Sequence, residues 1–91
     1  MSGNRVTAKQ LRKLVKQQDY RCHLSGRSLE PETASPDHMV PVSRGGAHTI
    51  DNVCIVDRDI NRAKGTQTIS EFVAMCREVV EWMDGKSDEV R

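Results

Sequence analysis

Apolar positions come in short, separated groups along this chain, and each group carries its own local signature. The first is helical. Leu11, Leu14 and Val15 form one narrow apolar stripe, and Lys9, Arg12, Lys13 and Lys16 fill the rest of the surface. Thr7 stands three residues before Gln10, the spacing of a capping box, and Val6 and Leu11 flank it at the positions of a hydrophobic staple. The pattern predicts a helix over residues 7–18. A loop-rich segment follows, with turn signals at Ser25-Gly26 and Glu30-Pro31.

From Ala34 the helical period disappears. Pro36 and Pro41 both disfavour helix, so an extended run is expected from Ala34 through Met39 towards Val42, broken by Ser43-Arg-Gly-Gly46. Asn52 to Val56 (NVCIV) is short and β-branched, and reads as a second strand pairing with the first. Asp57 to Lys64 (DRDINRAK) follows with helical character, Asp57 serving as N-cap and Gly65 as the stop. Thr68 and Glu71 make a second capping box. It opens a long helix over residues 68–84 whose apolar face is Ile69, Phe72, Val73, Cys76, Val79, Val80 and Met83, a face expected to be mostly core.

Ninety-one residues suffice for one small α+β domain spanning 1–91, too short for two cores. The apolar share is 36%, with three aromatic residues, Tyr20, Phe72 and Trp82. So thin a core usually needs a staple such as a metal, a disulfide or a partner. Three cysteines, Cys22, Cys54 and Cys76, lack paired spacing and argue against a disulfide framework and for a reducing compartment. No apolar run is long enough for a membrane span and no signal-peptide pattern opens the chain, so an intracellular, cytoplasmic protein is expected.

The net charge of +1 conceals an asymmetry. Residues 1–21 carry +5, residues 22–66 carry −1 and residues 67–91 carry −3. A basic N-terminal helix facing a polyanion would account for this, as would a merely solvated helix face.

The stretch that resists any packing account is Ser35 to Asn52 (SPDHMVPVSRGGAHTIDN), which sets Asp37 beside His38. It contains Asp37-His38-x-x-Pro41, then Ser43-x-Gly45-Gly46, and Asn52 fourteen residues after His38. Asn61 comes nine residues later within Asn61-Arg-x-Lys64-Gly65. In wording and spacing, residues 37–65 resemble the HNH nucleases of the ββα-metal superfamily, and the same two spacings occur in the HNH domain of RNA-guided DNA endonucleases. The likeness extends more weakly back to Tyr20-Arg-Cys22-x-x-Ser25-Gly26 and covers roughly half the chain.

The resemblance implies a ββα-metal centre over residues 34–65 and hydrolysis of DNA phosphodiester bonds to 5′-phosphate and 3′-hydroxyl ends. His38 becomes the general base, a role suited to an imidazole with its unperturbed pKa near ~6.5. Neighbouring side chains on a strand point to opposite faces, so Asp37 is expected to bind the ion while His38 faces the attacking water. Asn61 supplies a neutral oxygen as second ligand. One carboxylate and one carboxamide suit one hard divalent cation, Mg²⁺ first and Mn²⁺ or another transition metal as substitutes. Asn52 is implied to tie the loop to the backbone near His38. Arg44, Arg62 and Lys64 are candidate phosphate contacts, with the helix lying along the minor groove and little sequence preference.

Many relatives hold a structural zinc through two Cys-x-x-Cys pairs. Here the first pair is Cys22-x-x-Ser25, and the places of the second are Asp57 and Ile60, so no structural zinc is expected. Cys22 and Cys54 then read as buried small hydrophobes. Asp57 reads as an N-cap in preference to a third metal ligand, and His48 and His23 as solvated loop residues. Two rivals to the nuclease are a non-catalytic DNA-binding or assembly module of the same fold and a colicin-like, zinc-ligated domain. The latter would want more histidines near the site.

Overall fold

The computed structural model describes residues 6–86. Among them lie three α-helices and a two-stranded antiparallel sheet, an α+β arrangement. Helix α1 (Ala8–Gln17) begins at Thr7, whose hydroxyl accepts from Gln10 N while the Gln10 side chain accepts from Thr7 N, the complete capping box. Strands β1 (Ala34–His38) and β2 (Val53–Asp57) pair with Ala34 opposite Asp57 and His38 opposite Val53. Helix α2 (Arg58–Lys64) starts from Asp57, which accepts from Asp59 N, and stops at Gly65 with φ of 58°. Helix α3 (Ile69–Gly85) carries the second capping box, between Thr68 and Glu71.

β2 is covered on both faces, and all five of its residues are buried. This is why its sequence reads as a continuous apolar run rather than an alternation. Asn61 and Lys64 of α2 reach Ser35 and Asp37 from one side of the sheet. On the other, Leu11 and Val15 of α1 share a cleft with Ala34, Pro36 and Ile55. Pro36 has no N–H to offer and stands opposite Ile55. The Ile55 N–H and carbonyl face away from β1: the N–H donates to Gln18 Oε1 at 3.0 Å, and the carbonyl accepts from Gln18 Nε2 at 2.9 Å and His23 N at 3.0 Å. The residue that ends α1 thereby closes the outer edge of β2. The core around this junction is Cys22, Leu29, Cys54, Ile55 and Val56.

Two expectations change. β1 stops at His38 instead of running towards Val42, and Val42–Arg44 form a 3₁₀ turn. More consequentially, the apolar face of α3 is not core. Only Phe72 is buried on it; Val79 and Val80 are each 55% exposed and Met83 51%. Cys76 is exposed as well. A 17-residue helix is about 25 Å long. The small sheet and its two flanking helices leave nothing for its later turns to pack against. None of the described helices is long and apolar enough to cross a membrane.

Candidate functional site

The end of β1 and the loop that follows bring most of the candidate residues together. Strand alternation sends Ser35 and Asp37 to the α2 side and Pro36 and His38 to the α1 side. The division expected for the Asp-His pair is thus built into the sheet.

On the α2 side, Asn61 donates through Nδ2 to Ser35 Oγ at 2.7 Å. Its carboxamide oxygen, the end that ligates hard cations, takes no part in that bond. One turn further along the helix, Lys64 has a side chain with no exposure at all. Its ammonium lies 3.0 Å from Asp37 Oδ2 and donates to the His38 carbonyl at 3.2 Å. Asp37 Oδ2 is buried and, despite its closeness to the ammonium, receives no hydrogen bond. Lys64 therefore neutralises Asp37 from below without satisfying it. The expected phosphate contact from Lys64 gives way here: a wholly buried ammonium paired with a carboxylate is an internal counter-charge, not a surface for DNA.

The donor set fits a hard cation held by few protein ligands. It consists of a buried carboxylate oxygen short of a hydrogen bond, and a carboxamide from the helix packed over the same strand face. Among the described residues no group of three or more His, Cys, Asp or Glu side chains gathers at one point. Asp57 is committed elsewhere. Its Oδ1 accepts from Asp59 N at 2.9 Å and from Arg27 Nη1 at 3.2 Å, and its register partner Ala34 is three residues along the strand from Asp37. It acts as N-cap and ion-pair partner, the first of the two roles open to it in sequence. Its own N–H donates to Cys22 Sγ at 3.2 Å. Burial raises the Cys22 thiol, but bonds from the Ser25 hydroxyl and from the Asp57, Leu24 and Ser25 backbone outweigh it and leave the pKa lowered. Cys54 behaves oppositely: burial, then the nearby Asp37 charge, push it up to about 11.

On the other face, His38 meets His48. His38 Nε2 and His48 Nδ1 lie 2.9 Å apart, with ring centroids separated by 5.1 Å. His48 is an exposed loop residue, as its sequence context suggested, but its ring is paired with His38. A cleft of about 270 Å³ opens here, lined by Val6, Leu11, Pro36, Asp37, His38, His48 and Val53.

Asn52 organises the loop between the two histidines. Its Oδ1 accepts from Val40 N at 3.0 Å, and its Nδ2 donates to Val40 O at 2.9 Å and Ala47 O at 2.8 Å. Its backbone N–H donates to Thr49 O and its carbonyl accepts from Met39 N. One side chain takes over where the strand pairing stops, which is why β1 ends there. Gly46 lies against this clamp. A Cβ at that position would overlap the Val40 carbonyl oxygen and stand 2.9 Å from Asn52 Nδ2. Gly46→Ala is expected to destabilise the fold by about 1–3 kcal/mol, because backbone and not a flexible side chain must move. Thermal melting tests this, and a melting temperature equal to that of wild type would show that the loop opens without cost.

Of the three basic candidates, Arg62 is exposed on α2. Arg44 is engaged. Its two terminal nitrogens hold both carboxylate oxygens of Glu71, Nη1 on Oε1 and Nη2 on Oε2 at 3.0 Å. The Arg44 bond, first, and the Thr68 N–H after it hold the Glu71 carboxyl down to about 2. Arg44 thus pins the glycine loop to the start of α3 and has no free fork for phosphate in this arrangement. In the sequence Glu71 reads only as half of a capping box, Gly46 only as a motif glycine and His48 only as a solvated loop residue. Compared with known proteins, the chain matches no family model and no curated protein.

Proposed function

We propose that this protein is a divalent-metal-dependent endonuclease with a ββα-metal centre, cleaving DNA in the cytoplasm with little sequence preference. The observation that carries the reading is the division made by β1. Asp37 lies with Asn61 on the α2 face, and His38 lies in a cleft on the other face, tied to His48. In this reading Asp37 and Asn61 hold one cation, Mg²⁺ first, whose part is to stabilise charge on the scissile phosphate and the leaving 3′ oxygen. His38 takes the proton from the attacking water. Asn52 holds the loop that sets the His38 ring. The exposed Lys9, Arg12, Lys13 and Lys16 of α1, with Arg62 of α2, supply backbone attraction to the polyanion. No structural zinc takes part.

A binding module of the same fold is the second reading, and the Asp37–Lys64 pair favours it, because it neutralises the carboxylate without any ion. Incubation of supercoiled plasmid with purified protein in Mg²⁺, Mn²⁺ or EDTA separates the two. The nuclease predicts nicked or linear product with either metal and none in EDTA. Retarded but uncut plasmid under all three conditions would establish the binding module instead.

A further inference from the structure

We infer that His48 is a positioning residue that fixes the tautomer of His38, leaving Nδ1 of His38 as the nitrogen able to accept a proton. The inference rests on the nuclease reading, because the contact alone lets either ring donate and a basic His38 selects between them.

A contact of 2.9 Å between His38 Nε2 and His48 Nδ1 requires a single proton between them when both rings are neutral. Two arrangements satisfy it. If His48 donates, His38 Nε2 is an acceptor and its Nδ1 carries the other proton, so neither nitrogen of His38 is free to take one from water. If His38 donates from Nε2, its Nδ1 is bare and basic, and His48 carries its own proton on Nε2. Only the second arrangement leaves His38 a base. In it His48 does for His38 what an orienting acceptor does for any catalytic imidazole: it settles which nitrogen works and where the ring points.

The loop is built to keep His48 in place. Asn52 grips the residues on either side of it, through Nδ2 to Ala47 O at 2.8 Å and through its backbone N–H to Thr49 O at 2.9 Å. Gly46 permits the close approach of that loop to Val40. Asn52 therefore acts on His38 at one remove: it orders the loop, the loop presents His48, and His48 orients the ring. His48 itself is exposed, so replacing it removes the contact without opening a core.

The test uses full-length protein labelled with ¹⁵N in histidine, at a pH above the imidazole titration range and without DNA or metal. Nitrogen shifts and ring-proton correlations report the tautomer of each histidine, and a scalar coupling across the hydrogen bond links His38 Nε2 to His48 Nδ1. Expected is His38 protonated on Nε2, His48 unprotonated on Nδ1 and a coupling between them, lost in His48→Leu. The opposite tautomers, or no coupling, would overturn the assignment. In cleavage assays His48→Leu should lower kcat roughly tenfold with KM for DNA unchanged, and His48→Asn, which keeps an acceptor, should recover most of it. An equal loss in both variants would also overturn it. Wild-type protein that shows the expected tautomers yet never cuts DNA would remove the nuclease reading alone, and the tautomer assignment would stand.

Discussion

His38→Ala is expected to abolish DNA cleavage while leaving the fold, cation binding and DNA binding close to those of wild type. His38 lies on the face of β1 opposite the Asn61–Ser35 contact, and its ring is paired with His48, an exposed loop residue. Removing the imidazole leaves Asp37 and Asn61 where they are. It also leaves the Lys64 contact to residue 38 unchanged, since that bond is to the backbone carbonyl. What disappears is the base, worth roughly 10² to 10⁴ in rate, together with the orientation of the water it deprotonates. Cleavage at saturating Mg²⁺, with DNA binding measured in parallel, is the deciding comparison. Comparable cutting by variant and wild type would sink the general-base assignment.

Helix starts were legible because their determinants are local. Both capping boxes and the Asp57 N-cap form within three residues of sequence, and each helix begins where its cap predicts. The end of β1 was not legible. Two prolines allow the strand to continue, and what stops it is Asn52, twelve residues past Val40, taking both of that residue's backbone groups. The fate of α3 was hidden for a different reason. A period of three and four residues says which face is apolar, but not whether the rest of the chain can cover it.

Within the site, the opposed directions of Asp37 and His38 follow from strand geometry and needed no structure. The burial of Lys64 did leave a trace in the sequence. Ser35 and Asp37 share a strand face at a spacing of two, and Asn61 and Lys64 share a helix face at a spacing of three. Once Asn61 meets Ser35, Lys64 meets Asp37. Reading the lysine as another cation near a phosphate site concealed that match. No comparable trace exists for His48, whose contact with His38 depends on how a ten-residue loop folds back.

Lys64→Met should produce the largest change in stability. The variant keeps the length and unbranched shape of the buried chain but deletes the charge, leaving Asp37 Oδ2 in a nearly dry site with nothing to offset it. Breaking a buried ion pair from one side costs about 3–5 kcal/mol, and the 11% exposure of the Asp37 side chain places the expected loss near the lower end. For a domain of this size each 1 kcal/mol moves Tm by roughly 4–8 °C, so a fall of more than about 10 °C is expected in metal-free buffer. The double variant Asp37→Asn/Lys64→Met removes both charges and should regain much of that loss. Mg²⁺ then adds a second, independent reading. An ammonium and a divalent cation compete for one carboxylate oxygen, so Mg²⁺ should raise the Tm of Lys64→Met by more than it raises that of wild type. It should leave the double variant unmoved. Differential scanning calorimetry across a Mg²⁺ titration measures all three proteins on one scale. A Lys64→Met protein that melts with wild type would show the pair to be structurally idle. One that is destabilised but indifferent to Mg²⁺ would show that Asp37 is no cation ligand, and would favour the binding module.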